Sequence, residues 1–206
     1  MSKVLLICNG EKPGPWLKKI AREVDFVLAA DGGANHALAL GIEPNAIIGD
    51  LDSVSPRTRR QLKDIPFVSV SRQDNTDLEK ALDWIAKQGF EECFIAGATG
   101  NRMDHTLGNF ISVYPYLKNL SVRFCGPTWT IYPLIHSFKF SARKGARLSF
   151  IPLTDCKDVT LTGVKYRVKN AWWQFGKAGL SISNQITAKQ SEITFSKGYL
   201  LMYLEQ

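Results

Sequence analysis

Apolar and polar positions alternate along this chain in two different ways. From Lys3 to about Cys125, short apolar runs at Val4 to Ile7, Phe26 to Ala30, Ala46 to Ile48, Phe67 to Val70 and Glu92 to Ala96 read as strands. Between them lie helical patterns. Trp16, Leu17, Ile20, Ala21 and Val24 share one helical face, and Ser55-Pro56 predicts an N-cap followed by proline at the first helical position, opening a helix to about Lys63. Thr76 and Glu79 form a capping box in front of the stripe Leu78, Ala81, Leu82, Ile85 and Ala86. Strands alternating with helices predict an α/β domain, a Rossmann-like parallel sheet with helices on both faces.

After about Leu134 the helical period fades. Short alternating stretches follow at Phe138 to Phe140, Ala146 to Ile151, Val159 to Leu161, Leu180 to Ile182, Ile193 to Phe195 and Tyr199 to Leu204, punctuated by Gly, Pro, Asp and Asn. That pattern predicts a small antiparallel sandwich or barrel. The expected division is therefore residues 1–135 as an α/β domain and 136–206 as a β domain, with Thr130 to Ile135 equally suited to end the first.

Composition narrows the class. With 206 residues and 45% apolar content, the chain can build a packed core, and its net charge of +7 attracts anions over long range. The charge is scattered; Arg57, Arg59, Arg60 and Lys63 read as a solvated helix face. Cys8, Cys93, Cys125 and Cys156 lie in or beside apolar runs without zinc-like spacing, and the N-terminal apolar stretch is too short for a signal peptide or membrane span. Reduced thiols in the cytoplasm, with no membrane partner, are the expectation.

The chemistry lies just past the apolar runs. Asp31, Asp50, Asp52, Asp74 and Asp77 each follow one, and the Gly-rich segment Gly97-Ala-Thr-Gly-Asn-Arg-Met-Asp104 follows another. In a parallel sheet these segments gather at one edge, where ligands bind. Asp50 and Asp52 point to the same side of an extended stretch, and two such carboxylates repel unless a cation lies between them, so Mg²⁺ suits them. The bland alternative is a turn with two solvated acids. Asp74 and Asp77 either complement a helix dipole or join the site, and Lys80 shares the Asp77 face as an ion-pair partner or a phosphate contact. Gly32 and Gly33 allow a close backbone approach or simply a tight turn. Gly97 and Gly100 bring amides near a phosphate, Arg102 supplies a forked cation, Asp104 caps a helix or holds a metal-bound water, and His105 reads as structural or orienting. The Walker spacing is absent.

Taken together, Asp31-Gly-Gly-Ala-Asn35, Gly49-Asp-Leu-Asp-Ser53, Asp74-Asn-Thr-Asp77 with Leu78-Glu-Lys-Ala81, Gly97-Ala-Thr-Gly-Asn-Arg-Met-Asp-His105 with Leu107 and Asn109, and Ser181-Ile-Ser-Asn184 resemble the thiamine pyrophosphokinase family. The resemblance implies an N-terminal α/β domain, a C-terminal β-sandwich, and a homodimer with active sites at the subunit interface. It implies transfer of a pyrophosphoryl group from ATP to the hydroxyethyl oxygen of thiamine, giving thiamine diphosphate and AMP. By the same carry-over, Asp50, Asp52 and Asp77 are the Mg²⁺ acids, and Asp52, Asp77 and Arg102 the catalytic set. Asp31, Gly32, Gly33, Asn35, Asp74, Thr76, Lys80, Thr99, Gly100, Asp104 and His105 fall on the ligand-binding side, with Ser183 and Asn184 toward thiamine. Asn101 departs from the family's usual glycine, and the pair Trp172-Trp173 maps to no motif. Those two rings either stack on thiamine or fill the sandwich core.

Two other classes compete. A nucleic-acid module is motivated by the charge but opposed by the carboxylate-lined edge, so no nucleic-acid partner is expected. A kinase acting on another alcohol, such as a pterin or a different vitamin precursor, shares the metal site and differs in product. Formation of AMP rather than ADP marks the pyrophosphoryl step.

Overall fold

The computed structural model describes residues 2–70, 75–100, 102–177 and 181–206, which form two compact units, Met1–Pro127 and Thr128–Gln206. In the first, strands β1 (Lys3–Ile7), β2 (Phe26–Ala30), β3 (Ala46–Gly49), β4 (Phe67–Ser69), β5 (Glu92–Ala96) and β6 (Ser121–Cys125) alternate with helices α1 (Leu17–Glu23), α2 (Gly33–Leu40), α3 (Pro56–Gln61), α4 (Asp77–Lys87) and α5 (Met103–Ser112). The strands are parallel in the order β6-β5-β1-β2-β3-β4. Val4 to Ile7 are all fully buried, as strands covered on both faces must be.

Residue alternation assigns the helices to faces. Leu5, Ile7 and Val27 pack with Leu17 of α1 and with Ala37 and Leu40 of α2. The opposite face carries Phe26, whose ring lies 5.5 Å from Trp84 of α4, and Phe124, 4.9 Å from Phe110 of α5. The local signals work as expected. Ser55 accepts a hydrogen bond from the Thr58 amide at 3.1 Å, and both limbs of the Thr76–Glu79 capping box are present.

Because β2, β3 and β4 run outward from β1 on one side and β5 and β6 on the other, the chain reverses its direction of travel between β1 and β5. That switch point opens a crevice at the carboxyl ends of the strands.

The second unit is antiparallel throughout. Strands β7 (Trp129–Leu134), β8 (Phe138–Phe140), β9 (Arg147–Pro152), β10 (Cys156–Thr162), β11 (Val168–Trp173), β12 (Ser181–Gln185), β13 (Ser191–Thr194) and β14 (Leu200–Glu205) build one face in the order β12-β9-β14-β7 and another in the order β11-β10-β13-β8. Leu148, Phe150 and Met202 from the first meet Val159, Leu161, Trp173 and Ile193 from the second, which makes the unit a sandwich. The sequence pattern missed β11. Its pairing with β10 shifts register twice and Asn170 has φ 49°, so bulges break the period of two. Leu180, expected to start β12, lies outside the described residues.

All four cysteines are buried and unbridged. No described helix is long and apolar enough to cross a membrane.

Candidate active site

At the ends of β2 and β3, the carboxylates of Asp31, Asp50 and Asp52 converge, with ligand oxygens within 4.8 Å of one another. Asp31 is buried and has φ 44°, a conformation held by its amide donating to the Ile48 carbonyl at 2.8 Å. The loop carrying the other two acids is braced from below. Asn35 donates to the Ser53 carbonyl at 2.8 Å and accepts from the Ser55 amide and the Thr58 hydroxyl, so its amide serves the loop rather than a ligand. Arg59 is exposed, as expected of this helix face, and also donates to the carbonyls of Val54 and Leu51.

Asp77 stands apart from the three-carboxylate group. Its Oδ1 accepts from the buried Lys80 ammonium at 3.0 Å, while Asp31 is the third acid whose oxygens cluster with those of Asp50 and Asp52. Burial alone would lower the Lys80 pKa, but the Asp77 hydrogen bond and the charges of Asp77, Asp50 and Asp31 outweigh it and the value is raised. Lys80 is thus a fixed cation serving the whole acidic edge.

The crevice itself has a volume of about 750 Å³. Asp31, Thr76, Asp77, Thr99, Gly100, Arg102 and His105 from the predicted set all line it. So do Asn9, Gly10, Glu11 and Lys12, which the sequence reading overlooked although they follow the first apolar run as the other site residues follow theirs. The two loops at the switch point are joined by backbone: the Gly10 amide donates to the Gly97 carbonyl at 2.6 Å and the Glu11 amide to the Thr99 carbonyl at 2.7 Å. A Cβ on Gly10 would sit 2.4 Å from the Gly97 oxygen, so no other residue permits this approach. Gly33 plays the same part under β1, where a Cβ would come 2.0 Å from the Ile7 oxygen, while Gly32 lies against the Asn9 side chain. The pair therefore packs α2 against the sheet.

Cys8 is no nucleophile, since burial, then the nearby Asp77 charge, push its thiol up to about 12. Arg102 forks onto Asp104 at 3.0 and 2.6 Å, both side chains being exposed, and this pair holds the Asp104 carboxyl well below the usual range. Asp104 therefore neutralises Arg102 and does not cap α5, whose N-cap is Arg102. Asp74 and Asn101 lie outside the described residues.

In the sandwich, Ser183 and Asn184 border a second pocket of about 240 Å³ together with Arg147, Lys165, Tyr166 and Gln185. Asn184 is buried and spends its amide internally. It accepts from the Tyr166 and Gln185 amides and donates to the Tyr166 carbonyl and the Ser181 hydroxyl. Trp173 fills the core, 6.0 Å from Phe150, whereas Trp172 is exposed with the Lys157 ammonium 5.9 Å from its ring centre.

Comparison with known proteins agrees with both units. The thiamin pyrophosphokinase catalytic-domain family matches residues 17–124, and the vitamin B1 binding domain of thiamin pyrophosphokinase matches 135–200. Thiamine pyrophosphokinase of Bacillus subtilis (strain 168) is 33% identical over 211 aligned positions covering 98% of each chain. Thiamine pyrophosphokinase 1 of Oryza sativa subsp. japonica is 26% identical over 81% of this chain and 74% of its own. The crystal structure of the Bacillus subtilis thiamine pyrophosphokinase superposes with a TM-score of 0.89, at 27% identity, over 100% of this chain and 99% of that one.

Proposed function

The chain belongs to the thiamin pyrophosphokinase family and has thiamine pyrophosphokinase activity, and from that premise we propose how its own residues divide the work. The pyrophosphoryl group of ATP passes to the hydroxyethyl oxygen of thiamine, giving thiamine diphosphate and AMP. The observation that carries the assignment of roles is the group of Asp31, Asp50 and Asp52 at the edge of the switch-point crevice.

Three hard oxygen donors this close, with the Lys80 ammonium near them, suit Mg²⁺. We assign the ion to Asp50 and Asp52 with Asp31 supporting. When bound, it supplies charge neutralisation for the phosphates. Asn35 and Arg59 keep the acid loop in place, so little reorganisation accompanies binding.

The thiamine oxygen forms a bond to the β-phosphorus while the bond from that phosphorus to the α–β bridging oxygen breaks and AMP leaves. Alignment and neutralisation dominate such a step. Asp77 faces the crevice and accepts the hydroxyl proton, with Lys80 holding the carboxylate in orientation. Arg102 meets the phosphates after exchanging its Asp104 partner. Thr99 and Gly100 line the nucleotide side.

A homodimer belongs to this reading. On α5, Met103, Leu107 and Ile111 recur every fourth residue and are 60%, 58% and 61% exposed, an apolar stripe suited to a second copy of the chain. In this reading the active sites lie at the subunit interface. Buried, unbridged thiols support a cytoplasmic setting.

Incubation with ATP, Mg²⁺ and thiamine, followed by mass spectrometry, tests the reaction. Thiamine diphosphate and AMP are expected in equal amounts; ADP as the nucleotide product overturns the pyrophosphoryl step.

A further inference from the structure

The crevice is rich in negative charge, with Asp31, Asp77 and Glu11 on its walls and Asp50 and Asp52 beside it. A nucleoside triphosphate brings about four more negative charges to the same place. Its described lining offers two permanent cations, Lys12 and Arg102. Arg102 is held by Asp104 in a two-pronged pair, whereas no described carboxylate makes an ion pair with Lys12.

We propose that Lys12 is a substrate-binding residue that grips the polyphosphate of the nucleotide. The inference rests on the reading of the crevice as the ATP site. Position favours it first. Lys12 ends the loop after β1, beside the Gly-rich loop after β5, at the switch point where the two halves of the sheet part.

Rigidity favours it next. The loop is tied to the Gly-rich segment by the Gly10 and Glu11 amides, and the His36 ring, 3.2 Å from the Gly10 oxygen, ties it to α2. Pro13 follows directly, is buried, and restricts Lys12 to an extended backbone. The stem of the side chain therefore leaves from a fixed point while its ammonium stays exposed. The anchored backbone spares the cost of ordering the loop, so closing on a phosphate need fix only the rotamers of the side chain. Asp31 and Lys12 then contact the nucleotide from the loops that follow the neighbouring strands β2 and β1.

Two variants test this, Lys12→Met and Lys12→Arg, assayed by steady-state kinetics with ATP and thiamine and by calorimetric titration with inorganic tripolyphosphate. Loss of one charge-assisted contact predicts an ATP KM raised about tenfold in Lys12→Met. The kcat should stay within about twofold and the thiamine KM unchanged, and tripolyphosphate affinity should fall by a similar factor. Lys12→Arg restores both. An unchanged ATP KM, a thiamine KM rising in step, or a lowered melting temperature in Lys12→Met overturns the proposal. Should the wild type form no AMP, the reaction reading fails by itself, and the tripolyphosphate titration of wild type against Lys12→Met still decides the role of Lys12.

Discussion

The two units present polar residues in opposite ways. In the parallel unit every strand ends at the same edge, so Asp31, the Asp50–Asp52 loop, Asp77 and the Gly-rich segment converge although they are far apart in sequence. In the antiparallel unit successive strands end at opposite edges, and the polar motif Ser181-Ile-Ser-Asn184 turns partly inward, with Asn184 tying β12 to the stretch before β11. The lesson is that one kind of motif residue does different work in the two settings. A carboxylate at a parallel edge is available to a ligand, and an amide buried in a sandwich is a structural tie.

The sharpest way to break this contrast is Asp52→Asn. Turnover should fall roughly a hundredfold or more, with the melting temperature unchanged, because asparagine keeps an acceptor for the Ser53 hydroxyl and loses only the charge. Near-normal turnover in a folded variant would remove Asp52 from the metal group. The mirror experiment is Asn184→Ala, which leaves the Tyr166 and Gln185 amides without their acceptor and should cost about 2–3 kcal/mol in denaturant unfolding. A variant as stable as wild type would contradict the structural role.

Alkaline pH separates the units by their thiols. Buried thiols bind their protons more tightly when folded, Cys8 up to about 12 and Cys156 up to about 11, both chiefly through burial. Since the folded values are raised, this stability is whole below the ordinary thiol pKa of 9.0 and is lost as pH rises toward the folded value. Each thiol contributes a slope of about 1.4 kcal/mol per pH unit at most. Cys8→Ala should flatten the alkaline fall of stability up to about 12, and Cys156→Ala only up to about 11, in unfolding followed against pH. The smallest effect belongs to Thr76→Ala, which removes one limb of the capping box from α4 and should cost about 1 kcal/mol. Because α4 also carries Asp77 and Lys80, its ATP KM measures how far the cap positions them.

Much of this was readable beforehand. Caps at Ser55 and Thr76, strands β2 and β5, and the acids following apolar runs are signalled within a few residues of themselves. What escaped depends on distant neighbours. Bulges that pair β11 with β10 hide a strand, the exposed Arg59 gains its carbonyl partners only once the loop beside it is placed, and the 9–12 loop gains meaning only beside 97–100.

The sequence by itself determined the alternation of elements, the helix starts and the set of acids from which the site is drawn, since periodicity and capping act over one or two turns of chain. Only the tertiary structure decided that Asp31 joins Asp50 and Asp52, that Asn35 and Asn184 brace loops, and that Lys12 lines the crevice. Those outcomes turn on distances between side chains from separate strands. Sheet order and close backbone packing at glycines fix such distances, and no local stretch of chain encodes them.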